Sequence, residues 1–248
     1  MKKRLVSGKN KCELISLDRL KTVPYEKIRS AGAVGFAFPV YGADMPLIVS
    51  RLLERMDPTA GGFRDKPAFV LTTAGYADAY GPFEAGKTMR KHGFRLVAYV
   101  NVRVSINISL PGGKAAFPSA AVMKRRLERG EKALDRLAGK LTEGKRHITN
   151  AGPNLLPGAM IRKATKKRQE EQYQALSVDS TRCIRCMSCV RDCPTESIIF
   201  KDGDFTFMPS CTACFRCYNF CPAFAVLING RYAAPEGYER YQGPESLK

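Results

Sequence analysis

The chain has 248 residues, enough for two domains of ordinary size, with 41 Lys and Arg against 23 Asp and Glu and a formal net charge of +18. Residues 1–150 hold 28 basic and 13 acidic side chains, whereas residues 178–248 hold eight of each, so the basic character belongs to the first part of the chain. Eight of the nine cysteines lie between Cys183 and Cys221, which excludes a disulfide framework spread through a secreted fold. The opening "MKKRLVSGKNK" has the charged start of a signal peptide without its apolar core. The apolar stretch "AGAVGFAFPVYGADMPLIV" is interrupted by Pro39, Asp44 and Pro46 and splits into strand, loop and helix rather than a membrane span. A reducing cytoplasm is the expected compartment.

In chain order, Cys12–Leu17 ("CELISL") reads as a strand and "YEKIR" as a short helix. Ala33–Phe38 ("AVGFAF") is a continuous apolar strand, the pattern of a sheet covered on both faces. A helix is expected from Pro46 to about Met56, with proline in its opening turn. Ala68–Thr73 is the next strand, followed by the loop "AGYADAYGP" and a helix around Phe83–His92. Arg95–Val104 is a further strand. Met123, Leu127, Leu134, Leu137 and Leu141 recur at helical spacing over Ser119–Leu141. Strands alternating with helices predict an α/β domain with a parallel sheet. Ligands of such sheets sit at the carboxyl ends of the strands, where "PVYGADMP" and "TTAGYADAYGP" leave. Asn154–Leu176 is expected to be a basic, helical linker. A membrane-surface role for it is the weaker reading, because its apolar face fades after Ala164.

Two stretches then carry the chemistry. Cys183–Pro194 reads "CIRCMSCVRDCP" and Cys211–Pro222 reads "CTACFRCYNFCP", with every cysteine and the proline in register at an offset of 28. Each is C-x2-C-x2-C-x3-C-P, the run that binds [4Fe–4S] clusters in two-cluster bacterial ferredoxins, in which the fourth cysteine serves the other cluster. Cys183, Cys186, Cys189 and Cys221 would hold one cluster, and Cys211, Cys214, Cys217 and Cys193 the other. Structural zinc is the rival, but it explains neither the third cysteine nor the C-x3-C-P end of both copies. Apolar runs follow each proline, at Ser197–Phe200 and Ala225–Ile228, and Asp202-Gly203 is a hairpin signal. Ile184, Met187, Phe215 and Val226 are expected to keep water from the sulfurs.

The order of "FPVYG", "TTAGY", "NISLPGG", a basic helix, "LLPGAMIRK" and the paired cysteine runs resembles the flavodoxin–ferredoxin fusion proteins of anaerobic microbes over nearly the whole chain. The resemblance implies a flavodoxin-like α/β parallel sheet, lacking its first strand, followed by a small α+β bis-[4Fe–4S] ferredoxin domain. Boundaries are placed at 1–146 for the flavodoxin-like domain, 147–177 for the linker, 178–232 for the ferredoxin domain and 233–248 for a tail. It also implies FMN, with Pro39, Val40, Tyr41 and Gly42, and Thr73, Ala74, Gly75 and Tyr76, in the two loops flanking the flavin ring. The family pattern opens with a strand and an S-G-T-G-N phosphate loop at a helix N-terminus. Here "MKKRLVSG" looks like the tail of the helix after that loop, with Gly8 as its stop, and "SGKN" at Ser7–Asn10 leaves no room for a helix before Cys12. The missing strand would be the central one, leaving Cys12–Leu17 without its neighbour. Either the DNA upstream of Met1 encodes that strand and loop in frame, which is the favoured reading, or this copy has lost FMN binding.

The sequence contains no acid–base pair or activated nucleophile, so no catalytic residue is assigned. "GGK" at Gly112–Lys114 is not a phosphate loop, since Ala follows the lysine. His92 and His147 read as surface residues, and Cys12 as a small hydrophobe. Tyr41, Tyr76 and Tyr80 are packing residues before they are flavin-stacking ones. The expected function is single-electron transfer through two [4Fe–4S] clusters, with an acidic redox protein as partner. A ferredoxin carrier with a flavin-free docking domain is the second reading. A redox sensor using its basic surface on nucleic acid is the third, although no recognition motif for nucleic acid is present.

Overall fold

The structure is a computed structural model that describes residues 11–17, 20, 22–41, 43–75, 80–104, 118–149, 160, 162–163 and 171–232. The chain divides into two compact units, 1–104 with 121–163, and 105–120 with 164–248.

In the first unit, helix α1 (Tyr25–Ser30) precedes strand β1 (Val34–Pro39), and helices α2 (Leu47–Glu54) and α3 (Pro58–Gly61) follow it. Strand β2 (Lys66–Ala74), helix α4 (Gly81–Lys91), strand β3 (Phe94–Arg103), helix α5 (Ala120–Thr142) and the two-residue strand β4 (His147–Ile148) complete the unit. The strands lie in the order β1-β2-β3-β4 and every pairing is parallel. With helices between successive strands, this is a flavodoxin-like α/β sheet. The strands expected around residues 33–38, 68–73 and 95–104 are present within two residues of those bounds. β4 lies inside the segment that the sequence reading gave to the linker.

Both faces of the sheet are packed at β2 and β3, whereas β1 is packed on the side of Phe36 and Phe38 and exposes Gly35 and Ala37 on the other. On one face Phe36 and Phe38 of β1, Val70 of β2 and Tyr99 of β3 join Val49, Leu52 and Leu53 of α2 and Met89 of α4. On the other, Val100 and Val102 of β3 meet Leu137 of α5, with Phe69, Leu71 and Leu134 at the margin. Complete burial of a side chain such as Leu53 or Met89 contributes about 1.5–3 kcal/mol. Lys66, at the start of β2, donates to the carbonyls of Arg29 and Ala31 at 2.9 Å each, placing a cation where α1 leaves its last acceptors.

One expected strand is absent. Residues 11–16 have no regular secondary structure, and Leu14 and Ile15 are exposed. β1 stands at the edge of the sheet, and no described segment pairs with its outer side. An extended segment with no ladder to join leaves its backbone to water and gains nothing from being a strand. Gly8, the Ser7–Asn10 segment, the "NISLPGG" and "GGK" stretches, most of the expected linker and the 233–248 tail lie outside the described residues.

The second unit is built on the repeat. Strand β5 (Leu176–Val178) precedes the first cysteine loop, helix α6 (Ser188–Arg191) and strand β6 (Ile198–Lys201). Strand β7 (Asp204–Phe207), the second loop, helix α7 (Arg216–Asn219) and strand β8 (Val226–Ile228) follow. β5 pairs antiparallel with β8, and β6 with β7. Asp202 and Gly203 both have positive φ between the paired Lys201 and Asp204, the two-residue turn that an Asp-Gly sequence favours. The repeat of 28 residues extends beyond the cysteines: α6 and α7 start 28 residues apart, as do β5 and β7, and β6 and β8. This is a small α+β ferredoxin-type unit.

Helix α5 yields a paired test. A Cβ at Gly130 would lie 2.6 Å from Val102 Cγ1, whereas one at Gly139 would meet nothing within 4 Å. Alanine is favoured over glycine in a helix interior by about 1 kcal/mol. Gly139→Ala is therefore expected to raise the midpoint of thermal unfolding, and Gly130→Ala to lower it by forcing helix and strand apart, about 1–3 kcal/mol of overpacking. Equal shifts in the two variants would show that the Gly130–Val102 approach carries no strain.

Candidate metal centre

The cysteine runs fold as two copies of one backbone path. Arg185, Met187 and Glu196 have φ of 53°, 57° and 50°, and the residues 28 later, Ala213, Phe215 and Phe224, have 51°, 54° and 52°. None of the six is glycine, so each loop accepts a cost for its left-handed residues. Alternating left- and right-handed residues turn successive N–H groups to one side, the concave nest found at anion and iron–sulfur sites. The third cysteine of each run, Cys189 or Cys217, then sits in the single turn of α6 or α7.

Cys183, Cys186, Cys189 and Cys221 line one cavity of about 190 Å³, together with Cys217, Ile184, Arg216 and Phe220. Cys221 comes from the second run, so the crossing cysteine stands among the first three of the other run. The thiols register this convergence. Burial pushes Cys189 up to about 11, and the neighbouring Cys183, Cys221 and Cys186 add to the shift. Burial raises Cys217 further, with Cys214, Cys211 and Cys189 contributing. Cys186 goes the other way, because the Ser188 backbone N–H and hydroxyl bond its sulfur. Cys193 packs on the same apolar core as Cys189, Cys211, Cys217 and Cys221.

Backbone donors reach the crossing sulfurs in the same way in both halves. Ser197 N donates to Cys193 Sγ at 3.2 Å, and Ala225 N donates to Cys221 Sγ at 3.2 Å. Ala213 N donates to Cys211 Sγ at 3.4 Å. Such bonds favour the thiolate and tune a cluster's potential. The sequence reading did not find Ser197 or Ala225, because a backbone donor leaves no trace in residue identity. Its one signal was the constant offset between the halves.

The donor set fits a cubane better than a single ion. Among the described residues, no three His, Cys, Asp or Glu side chains converge closely enough to hold one metal ion. Tetrahedral zinc draws its thiolates onto one centre, whereas a cubane spreads them over four irons around a cavity. Of the residues expected to shield the sulfurs, Phe215 and Val226 are buried and Met187 is half-buried. Ile184 is not a shield: it is 66% exposed, because the first loop turns its side chains to the surface.

In the first unit the two expected flavin loops are neighbours. Pro39 is in register with Thr73, and Val40 N donates to Thr73 O at 2.8 Å. Tyr41 and Asp44 exchange backbone hydrogen bonds at 2.8 Å, while Val104 N bonds Ala74 O and Arg126 reaches Gly75 O. Gly42 and Tyr76 lie outside the described residues. Tyr80 is fully buried against Phe38, a packing residue. The helices that open beside these loops bring carboxylates: Arg162 pairs with Asp44 at 3.3 Å and with Glu84 in the first turn of α4, and lies over the Tyr80 ring. Sequence reading missed Arg162, whose partners are remote along the chain. Asp44 and Glu84, joined through Arg162, thus place an ion-paired carboxylate cluster beside the loops expected to flank the flavin ring. No step through flavin is derived.

Comparison with known proteins agrees with the second unit. Residues 175–222 match the 4Fe-4S dicluster domain family, which assigns 4Fe–4S binding and iron–sulfur electron transfer to this part of the chain. A flavodoxin from the domain Archaea is a structural neighbour at 13% identity and a TM-score of 0.37, covering 56% of this chain and 83% of its own. Curated proteins give no match. Among the described residues no helix is long and apolar enough to cross a membrane.

The thiol environments predict an order of reactivity in metal-free protein. Cys186 is exposed with its ionisation made easier, whereas burial holds Cys189 and Cys217 protonated. With limiting iodoacetamide at pH 8, Cys186 should be alkylated first and Cys217 last, read by peptide mass spectrometry. Uniform labelling of the three would contradict the loop geometry.

Proposed function

We propose that the chain is an electron-transfer protein holding two [4Fe–4S] clusters, one on Cys183, Cys186, Cys189 and Cys221 and the other on Cys211, Cys214, Cys217 and Cys193. The observation that carries this reading is the presence of Cys221 beside the three cysteines of the opposite run around one cavity. The matched dicluster domain and the repeat of 28 residues support the second site by symmetry. When bound, such clusters supply one-electron chemistry at potentials set by exposure, charge and hydrogen bonds to sulfur. The chain's own part is to exclude water with Phe215 and Val226, to donate Ser197 and Ala225 N–H to the crossing sulfurs, and to fix four thiolates in one geometry. Each crossing thiolate also pins the two halves together.

The flavodoxin-like unit then adds a basic body to the relay, and the partner is an acidic redox protein in a reducing cytoplasm. The adjacent loops at 39–41 and 73–75 support an FMN link in kind, while "SGKN" at Ser7–Asn10 departs from the family's S-G-T-G-N phosphate loop. Weak FMN binding is the reading adopted. Anaerobically purified protein should therefore retain far less than one FMN per chain by fluorescence after release, and stoichiometric flavin would overturn this assignment.

Crossed ligation has its own test. Cys193→Ser should damage the same cluster as Cys211→Ser, and Cys221→Ser the same cluster as Cys183→Ser, judged by iron content and low-temperature EPR of each reduced variant. Both crossing variants should also lower the unfolding temperature, because a core this small depends on its inorganic centres. If Cys193→Ser instead reproduces the EPR change of Cys183→Ser, ligation is local rather than crossed.

A further inference from the structure

The two halves share a backbone and differ in what they show to solvent. Ile184 is 66% exposed, and its counterpart 28 residues later, Thr212, is 4% exposed. Arg185 and Arg191 are exposed, whereas their counterparts Ala213 and Asn219 are buried. Cys186 is exposed, and its counterpart Cys214 is half-buried. The equivalence seen in the backbone is therefore absent from the surface.

What surrounds Cys186 has the composition of a docking face. Ile184 and Phe220, 66% and 53% exposed, are large apolar side chains left in water at the mouth of the cysteine-lined cavity. Exposed Arg216 and Asp192 line the same cavity, and exposed Arg191 bonds Ser188 and Asp192 of its lining, whereas Arg185 belongs to a different pocket. Arg191 is paired with Asp192 at 3.1 Å, and Arg216 donates to the Asp192 carbonyl oxygen, which holds both guanidinium groups near the cavity. Residues 178–248 are neutral in total, with eight basic and eight acidic side chains. The two arginines are thus a local arrangement within this unit, to which bound clusters would add negative charge.

We propose that electrons pass between this protein and its partner at this face, beside Cys186, and that the partner is a small redox protein presenting an acidic rim around an apolar contact. This rests on the cluster assignment above. An apolar centre excludes water and shortens the path to the nearest thiolate, and the arginines orient an approaching anionic surface. The second loop offers no equivalent, since Thr212, Ala213 and Phe215 are buried.

Small outer-sphere oxidants test this without knowledge of the partner. Protein reduced beforehand is mixed anaerobically with tris(oxalato)cobaltate(III) or with hexaamminecobalt(III), one electron converting each cobalt(III) to cobalt(II). The anionic complex should react faster, with a rate that falls as salt is added. Arg191→Glu and Arg216→Glu together should slow the anion by roughly tenfold or more and speed the cation. The same charge change placed on α5, by Arg125→Glu and Arg129→Glu, alters the net charge equally without touching this face, so it should slow the anion less. Iron content and EPR of the reduced variants report the clusters separately, so loss of those signals counts against the cluster assignment and not the docking face. Intact signals with the anionic rate unchanged in the first double variant, or lowered equally by both, would overturn the proposal.

Discussion

Everything in the second unit follows from the need to bring four thiols to one small volume. Thiols resist this: burial alone holds Cys189 and Cys217 in their protonated forms, and each neighbouring thiolate makes the next ionisation harder. A coordinated metal reverses that balance, because a ligating thiol is deprotonated outright. The loops are therefore shaped for a charge that the protein cannot itself supply. Left-handed backbone at Arg185, Met187, Ala213 and Phe215, and N–H groups from Ser197 and Ala225 aimed at sulfur, are features that a self-sufficient apolar core would not require.

Duplication explains how so short a segment meets that demand. One path of strand, loop, single helical turn and strand is used twice, and Cys221 of the second copy lines a cavity with the first three cysteines of the first. Symmetry of backbone does not extend to the side chains, however. The second copy is packed with Thr212, Ala213, Phe215 and Tyr218, while the first turns Ile184 and Arg185 to solvent. Two cysteine loops of equal spacing consequently sit in unequal surroundings, and exposure is among the factors that set a cluster's potential.

The first unit obeys a different constraint. A parallel sheet must be covered on both faces, and α2 and α4 on one side with α5 on the other meet it across β2 and β3. β1 at the edge is covered on the side of Phe36 and Phe38, while Gly35 and Ala37 on its other side are exposed. At the carboxyl ends of these strands, Arg162 ties Asp44 to Glu84, joining the loop after β1 to the first turn of α4. That ion pair occupies the loop region where an α/β sheet of this kind would take its ligand.

Sequence alone determined the parts whose signal is local. Apolar runs at 33–38, 68–73 and 95–104 and the helical spacing of Met123 to Leu141 specified the parallel sheet and its helices, because burial against covering helices dictates residue type position by position, although Gly35 and Ala37 of β1 are exposed. The cysteine spacing specified the chemistry, because three ligands on one tight loop fix the geometry within a few residues. Tertiary structure decided what depends on partners remote along the chain. Cys12–Leu17 has strand-forming residues and is not a strand, since among the described residues no segment pairs with it. His147–Ile148 is too short to announce itself and becomes β4 through its pairing with Ala98 and Tyr99. Ile184 reads as a shield for sulfur and lies at the surface, while its counterpart Thr212 is buried. An apolar side chain carries a preference for burial, but only the folded surroundings decide whether a place exists to bury it.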